Sequence, residues 1–439
     1  MGKIVVKFGG SSLSEAKQFQ KVRAIVEMNP DRCYVVPSAP GKRFSEDEKV
    51  TDLLYKTFRA AQAGEDFRVV FSKIRERYME IKSQLNLSVE IEKYLDEIEA
   101  EVEKGVTEDY IASRGEYLNG LLLADYLGYA FLDPKDMIFF ADNGTFDSER
   151  TNTVMSAKLA QVPRAVIPGF YGSIRNGEIH TFSRGGSDIS GASVARACGA
   201  DIYENWTDVN GFLMTDPRIV PGAKPIRHIT YRELRELSYM GAAVLHEDSV
   251  FPVHRAGIPT NIRNTNEPEN DGTIIMHGVT DEPNPYVITG VAGKKGFSIV
   301  SVEKAMMNSE VGFGRKVLQA IEELGLSFEH LPTGIDTMCV VVSTAQLTPV
   351  KEKLVKRIMD LTSPDTLTIH DNMSIIATVG RGMVHNPGTA ARLFTALSRA
   401  HVNVRMIDQG SSELSILVGV DDNDLEAAIR GIYEEFVRE

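Results

Sequence analysis

The chain has 439 residues, of which 43% are hydrophobic and 25% are charged, with a formal net charge of −13. The length predicts about two to four domains. No apolar run is as long as a membrane helix, so we expect a cytoplasmic protein. The acidic balance argues against nucleic-acid binding. Three widely spaced cysteines, Cys33, Cys198 and Cys339, predict neither a disulfide framework nor a metal site.

The first predicted strand, at residues 4–6, runs directly into the sequence KFGGSS at residues 7–12 and then into a helix-like segment. Glycines let the backbone approach phosphate oxygens, a helix start offers free N–H groups, and Lys7 adds a full positive charge. This corner therefore suggests a polyphosphate site. The alternative is a tight turn beside a solvated lysine, because the spacing matches neither a Walker A loop nor a dinucleotide fingerprint.

From residue 1 to about 278, short apolar runs alternate with helix-period segments, which predicts a parallel sheet flanked by helices. Further strands are expected at residues 33–37, 165–168 and 202–204. The charged stretch at residues 67–124 predicts a solvated helical pair. Glu116 is the one residue of this stretch for which we do not adopt that purely structural interpretation. Residues 264–285 are rich in Asn, Pro, Glu, Asp and Gly, a composition typical of a linker.

After this linker the sequence repeats itself at an offset of 76 residues, so that Ser298 matches Ser374 and Gly312 matches Gly388. Each copy predicts the order strand, glycine-containing loop, helix, strand, strand, helix. Two such small α+β units have few neighbours to cover their sheets. We therefore expect them to pair side by side, within one chain or between chains.

A second glycine-rich segment, FSRGGSDISGA at residues 182–192, precedes a predicted helix of small residues. The planar guanidinium of Arg184 suits a carboxylate ligand, although it could instead pair with Asp188 and brace its own loop. A third polar segment covers residues 206–218. Three polar loops that follow three predicted strands at one edge of a sheet indicate a ligand site.

Together with SRGE at residues 113–116, these segments closely resemble the amino acid kinase family, and the repeated units resemble paired ACT domains. The resemblance covers nearly the whole chain and is strongest to the aspartate-phosphorylating members. It implies a catalytic domain at residues 1–278 with a mainly parallel sheet sandwiched by helices. It also implies a first ferredoxin-like ACT unit at residues 296–366 and a second formed by residues 287–292 and 371–439.

The resemblance implies ATP-dependent phosphorylation of the side-chain carboxylate of L-aspartate to 4-phospho-L-aspartate, with Mg²⁺ bound to the ATP. Lys7 and Asp188 would act in catalysis with Gly9 and Gly10, where Asp188 orients Lys7. The ATP site would comprise Lys7, Gly9, Gly10, Ser11, Thr207, Asp208, Phe212 and Arg218. Glu116 would bind the substrate ammonium and Arg184 its carboxylate, and the other substrate residues would be Ser38, Thr51 and Ser187.

A side-chain carboxylate with a pKa near 3.9 is already ionised at neutral pH, so the reaction needs no general base and none of the nine histidines is expected to be essential. Two departures from the family pattern concern the nucleotide side. Ala243 replaces a usual lysine, and Glu247 replaces a usual proline. The segment between Ser38 and Thr51 is also longer than usual, and its residues 41–49 are candidates for a mobile lid.

Paired ACT units imply feedback regulation by an end-product amino acid. Candidate effector contacts in the first unit are Gly312, Phe313, Gly314, Ser327 and Glu329. An acidic residue among them favours lysine over threonine, and the family implies a homodimer or a dimer of dimers. The alternatives are a kinase for glutamate or another small acid, and a catalytically weak amino acid sensor.

Overall fold

The computed structural model describes residues 2–183, 185–241, 251–278 and 285–437. Backbone contacts divide the chain into two units. The first unit contains Met1–Phe212, Pro225–Tyr231 and Val244–Asp281, and the second contains Leu213–Lys224, Arg232–Ala243 and Glu282–Glu439. The polar segment at residues 206–218 is therefore divided, since its last six residues belong to the second unit.

The described strands of the first unit form an eight-stranded sheet and a separate hairpin. They are β1 (Ile4–Phe8), β2 (Arg32–Pro37), β3 (Ala130–Phe131), β4 (Ala165–Val166), β5 (Tyr171–Ser173), β6 (Ile179–Thr181), β7 (Ile202–Thr207), β8 (His228–Thr230), β9 (Thr260–Asn264) and β10 (Thr273–Met276). The order in the sheet is β3-β4-β2-β1-β7-β9-β10-β8, and β5 and β6 form the hairpin. The sheet pairs are parallel apart from β9 with β10, as the sequence predicted.

Helices cover this sheet. They are α1 (Ala16–Glu27), α2 (Val50–Gln62), α3 (Arg68–Leu85), α4 (Ile91–Lys104), α5 (Glu108–Leu127), α6 (Ser148–Leu159), α7 (Gly186–Cys198) and α9 (Phe251–Ala256). Helix α8 (Tyr231–Tyr239) belongs, after its first residue, to the second unit. The expectation of a solvated helical pair at residues 67–124 is wrong, because the segment forms α3, α4 and α5. Helix α5 is buried from Ile111 to Ala124 apart from Tyr117, so it serves as a central core helix.

The central strands of the sheet are the β-branched runs from which the sequence predicted strands. Val5, Val6 and Phe8 of β1 are fully buried, as expected for a parallel strand covered on both faces. Helix α7 packs on β1, β2 and β7. The carboxyl ends of β1 and β7, which pair directly, therefore lie beside the start of α7.

The linker predicted at residues 264–285 is only partly irregular. Within it, β10 pairs with β8 and β9 and completes the sheet of the first unit. Polar and turn-forming residues surround the short run TIIM. Because of these neighbours, the sequence pattern did not predict this strand of four residues. Residues 279–284 lie outside the described part of the chain.

The second unit contains an antiparallel six-stranded sheet of order β12-β13-β11-β14-β16-β15. Its strands are β11 (Gly290–Glu303), β12 (Phe328–His330), β13 (Thr337–Ser343), β14 (Thr366–Val379), β15 (Met406–Asp408) and β16 (Ser415–Asp421). Its helices after residue 285 are α10 (Phe313–Glu323), α11 (Thr344–Leu347), α12 (Lys351–Thr362), α13 (Thr389–Arg399) and α14 (Leu425–Val437). The predicted α+β repeat is thus observed.

The repeat is precise in backbone as well as in sequence. Helices α10 and α13 begin at positions 76 residues apart, each after a glycine with positive φ, Gly312 at 83° and Gly388 at 90°. Strand β11 is shared by both copies, because its first part pairs with the end of β14 and its second part pairs with β13 and the start of β14. The strand predicted at residues 287–292 overlaps the start of β11.

Within the described residues, none of the helices combines the length and the apolar character that crossing a membrane requires.

Candidate active site

Lys7 lies near the carboxyl end of β1, buried to 8% exposure. Its Nζ is 2.6 Å from Oδ1 of Asp188 and 3.4 Å from Oδ1 of Asn205. The structure therefore brings together two motifs that are far apart in the sequence. A buried ion pair with additional hydrogen bonds fixes the direction of a lysine side chain, which otherwise has many rotamers.

The loop after Lys7 presents backbone N–H groups. Gly9 precedes a short 3-10 helix at Gly10–Leu13, and no side chain among the described residues caps that helix start. The Gly9 N–H itself donates to the Trp206 carbonyl of β7 at 3.0 Å, which ties the loop to the sheet. The Ser12 N–H donates to the Gly9 carbonyl at 3.0 Å, so the N–H groups of Gly10 and Ser11 are the ones available to an anion at the start of this turn. We call Gly9, Gly10 and Ser11, which the resemblance assigns to ATP binding, the phosphate loop.

Asp188 lies in the first turn of α7, whose start also lacks a side-chain cap among the described residues. The preceding Gly185 has φ of 60°, a left-handed conformation that favours glycine. The loop follows β6 of the hairpin, so the expectation that all three polar loops follow strands of the main sheet is wrong for this one. Arg184, the predicted carboxylate ligand, lies outside the described residues.

Glu116 is a buried carboxyl on α5, with 4% exposure. Burial raises its pKa to about 8, against the opposing effects of the Ala39 backbone and of the Lys7 charge. Its Oε2 is buried without a hydrogen-bond partner among the described residues. A buried acceptor without a partner is costly, so this oxygen suits a ligand that donates a hydrogen bond.

Three residues predicted for the substrate side lie on different elements. Ser38 follows β2, and its N–H donates to the Phe8 carbonyl at 3.0 Å. Thr51 lies in the first turn of α2 and is half-buried. Ser187, half-buried in the first turn of α7, packs so closely on Gly169 that a Cβ added there would lie 2.7 Å from the Ser187 Cα.

The predicted nucleotide residues after β7 are less uniform. Thr207 ends β7, and its hydroxyl donates to exposed Asp208 at 3.2 Å. Phe212 is buried to 2% exposure, and its N–H donates to the Thr273 hydroxyl at 2.8 Å. Arg218 belongs to the second unit, where its side chain is 87% exposed and paired with Asp216. Ala243 and Glu247 lie outside the described residues.

Two asparagines that the sequence interpretation did not single out contact the predicted site. Asn205 of β7 donates to Oδ1 of Asp188 at 2.9 Å and accepts from Lys7, so it joins both charges. Asn119, one helical turn after Glu116, donates to the Ser38 carbonyl at 2.6 Å. The available signal was polarity inside buried segments, since Asn205 and Asn119 are 3% and 0% exposed.

The predicted effector residues occupy the first copy of the repeat. Gly312 and Gly314 lie at the start of α10, and Ser327 is exposed just before β12. Glu329 lies on β12 and accepts a hydrogen bond from Tyr239 of α8. Phe313 is buried to 3% exposure in the core of this copy.

Among the described residues, no group of three or more histidine, cysteine, aspartate or glutamate side chains is arranged to bind a metal ion.

Comparison with known proteins places this geometry in a family. Residues 2–264 match the amino acid kinase family, and residues 376–436 match an ACT domain. Aspartokinase 3 of Bacillus subtilis is 39% identical over 451 residues, which cover 98% of both chains.

Solved structures agree with this assignment. Aspartate kinase of Clostridium acetobutylicum is 49% identical, with a TM-score of 0.91 over 99% of this chain and 100% of that chain. Escherichia coli aspartokinase III, solved with lysine and aspartate, shares the fold at a TM-score of 0.74 and 24% identity over 99% of each chain. The predicted family is confirmed: the chain belongs to the amino acid kinase family and, within it, to the aspartate kinases.

Proposed function

We propose that residues 1–278 form a catalytic domain that transfers the γ-phosphoryl group of ATP to the β-carboxylate of L-aspartate, at a site built around Lys7. We further propose that two ACT units, one at residues 296–366 and one at residues 287–292 with 371–439, regulate this step by binding free lysine as the effector. The observation that carries the catalytic part is the 2.6 Å contact between Lys7 and Asp188. Through this contact Lys7, the start of the 3-10 helix after Gly9 and the start of α7 lie close together.

In the reaction an oxygen of the aspartate side chain attacks the γ-phosphorus, the bond from that phosphorus to the β,γ-bridging oxygen breaks, and ADP leaves with the electron pair. The carboxylate is ionised at neutral pH, so no proton has to be removed. The obstacle is the approach of an anion to a polyanion. Positioning and charge neutralisation therefore carry the catalysis, as in other phosphoryl transfers.

Each side chain has one part in this scheme. Lys7 neutralises charge on the transferred group, and Asp188 with Asn205 fixes the direction of its ammonium. The N–H groups of Gly10 and Ser11 in the phosphate loop bind the phosphates. Glu116, through the oxygen that has no partner in the described structure, binds the ammonium of aspartate, and Arg184 is proposed for its α-carboxylate.

The residues present fit a Mg²⁺ ion that is carried by the nucleotide. Mg²⁺ in kinases is bound mostly by substrate phosphates with one or two carboxylates, and the described residues offer no separate metal cluster. When bound, the ion neutralises phosphate charge. Lys7 and the phosphate loop then orient the phosphates against the acceptor.

The first ACT copy is the better candidate for a cationic effector. Glu329 stands on β12, whereas the matching residue of the second copy is Arg405, which pairs with Asp421 at 3.4 Å. An anionic residue in one copy and a cationic one in the other support binding of lysine by the first. Escherichia coli aspartokinase III, which shares the fold, was itself solved with lysine.

The same sheet supports a dimer. Strands β12 and β15 are its two edges, and they carry Phe328 and Ile407 with 47% and 53% exposure. Exposed apolar residues on edge strands favour pairing with another copy. Sedimentation of the pure protein is expected to give a dimer or a dimer of dimers.

The catalytic proposal is tested by incubating the protein with ATP, Mg²⁺ and aspartate and trapping the acyl phosphate with hydroxylamine. We expect hydroxamate from aspartate and little from glutamate. Lys7→Ala should abolish it, and Lys3→Ala, an exposed lysine next to the same strand, should not. Equal product from wild type and Lys7→Ala would refute the proposal. Adding lysine, threonine or both to this assay tests which amino acid is the effector. If activity responded to threonine but not to lysine, the assignment of lysine as the effector would be contradicted.

A further inference from the structure

Arg77 of α3 is a buried arginine with 4% exposure that donates to three acceptors in two separate segments. Its Nη1 donates to the Ser14 carbonyl at 3.3 Å and to the Gly41 carbonyl at 3.1 Å. Its Nη2 donates to Oδ2 of Asp47 at 2.7 Å. One guanidinium thus connects Ser14, directly after the 3-10 helix that begins in the phosphate loop, with both ends of the segment at residues 41–47.

The contact between Gly41 and the phosphate loop leaves no free space. The Gly41 N–H donates to the Gly10 carbonyl at 2.8 Å. A Cβ added to Gly41 would lie 2.7 Å from the carbonyl carbon of Gly10, and one added to Gly10 would lie 2.8 Å from the Ala39 carbonyl oxygen. The position of Gly41 is therefore tied to that of Gly10 by a hydrogen bond and by packing that has no room for a side chain on either glycine.

Asp47 supplies the negative charge that pairs with the buried guanidinium of Arg77. Its side chain is 9% exposed, and it accepts hydrogen bonds from the Arg43 backbone and guanidinium as well as from Arg77. The pKa of this carboxyl lies well below its ordinary value, because hydrogen bonds and charges of Arg43 and Arg77 outweigh its burial. Asp47 therefore stays ionised and paired with Arg77 throughout the physiological range.

The segment pinned in this way joins two residues of the substrate side. It begins after Ser38, whose N–H donates to the Phe8 carbonyl of β1. It ends where the Val50 N–H donates to the Pro40 carbonyl at 3.1 Å, at the start of α2, in which Thr51 is the second residue. We infer that Arg77 is a positioning residue for the kinase reaction: with Asp47 it fixes the segment from Ser38 to Thr51 against the phosphate loop. This inference rests on the proposed role of that loop in binding ATP.

The test is Arg77→Lys, which keeps the charge, since removing it altogether would take from the buried Asp47 one of its two basic partners, of which Arg43 is the other. One ammonium cannot reproduce the planar donors that reach three acceptors in two segments. We expect kcat/KM for ATP to fall about tenfold to a hundredfold, hydrogen exchange at residues 41–47 to accelerate, and the melting temperature to change little. Asp47→Asn should act in the same direction, and the double variant should lose less than the product of the single losses.

Arg75→Lys is the matched control, because Arg75 lies on the same helix and pairs with Asp96 and Glu99 at 2.8 and 2.9 Å. It should keep wild-type kinetics. Wild-type kinetics in Arg77→Lys would overturn the inference, as would a loss of activity equal to that of Arg75→Lys. The proposed function would still stand if Lys7→Ala were inactive in the same assay, whereas activity of Lys7→Ala would refute that function and not the contacts of Arg77.

Discussion

The cluster around Lys7 and the candidate effector surface of the first ACT copy differ in how their charges are surrounded. Lys7 and Asp188 keep only 10% and 16% of their side-chain surface exposed, and Asn205 contacts both. In the ACT copy, Ser327 is exposed and Glu329 lies on an edge strand. A buried, paired charge is costly to disturb, whereas a charge near the surface is screened by water. Substitutions should thus affect chemistry strongly in the first region and only effector binding in the second.

The largest effect is expected for Lys7→Ala. It removes the cation that neutralises the transferred group and leaves Asp188 without its ion-pair partner. Removal of one transition-state donor typically costs about a hundredfold to a thousandfold in kcat, and we expect at least this loss. Steady-state kinetics measure it, with Lys3→Ala as control. A kcat within about tenfold of wild type would mean that the buried cluster is not the catalytic centre.

The next effect is a pH dependence set by Glu116. Burial raises the pKa of this carboxyl from 4.5 to about 8, so between these values the folded protein keeps a proton that the unfolded chain has released. Its contribution to stability is full below pH 4.5 and is lost as the pH rises towards 8. Binding of the substrate ammonium requires the ionised form. The KM for aspartate should therefore fall on the order of tenfold from pH 6.5 to 8.5.

Glu116→Gln removes this titration. Loss of a charged hydrogen bond to the ammonium should raise the KM for aspartate about tenfold to a hundredfold and make it independent of pH across that range. Glu108→Gln, at an exposed position of the same helix, should retain the wild-type profile. A wild-type KM that does not change with pH would contradict the role given to Glu116.

A smaller loss is expected for Asn205→Ala. It removes the 2.9 Å hydrogen bond to Asp188 and the acceptor for Lys7 but leaves the ion pair, so kcat should fall about tenfold, as for one or two neutral hydrogen bonds. Because the substrates are not contacted directly, KM for aspartate should change little. A rise in KM with unchanged kcat would place Asn205 in substrate binding instead.

The smallest effect on basal activity is expected for Glu329→Gln in the ACT copy. The concentration of lysine that gives a half-maximal effect should rise about tenfold, while activity without effector stays at the wild-type level. Arg405→Gln, at the matching position of the second copy, is the control and should leave the lysine response unchanged. The difference between the regions would disappear if Glu329→Gln lowered basal kcat as strongly as Asn205→Ala.

The sequence predicted most of the fold and the two loops that meet at Lys7 and Asp188, because both follow from local patterns. Glycines before helix starts identified the loops of Lys7 and Asp188, and the repeat identified the ACT copies. Asn205 was missed because its role depends on the register that pairs it with Lys7 across β1 and β7. Arg77 was missed because its three acceptors come together only in the folded chain, and β10 because four residues give little periodicity.

The most direct test is a crystal structure of the protein with a non-hydrolysable ATP analogue, Mg²⁺ and aspartate. We predict the γ-phosphate within hydrogen-bond distance of Lys7 Nζ and of phosphate-loop N–H groups, and the aspartate ammonium on Glu116. A triphosphate bound away from Lys7 and Gly9 would contradict the account at its centre.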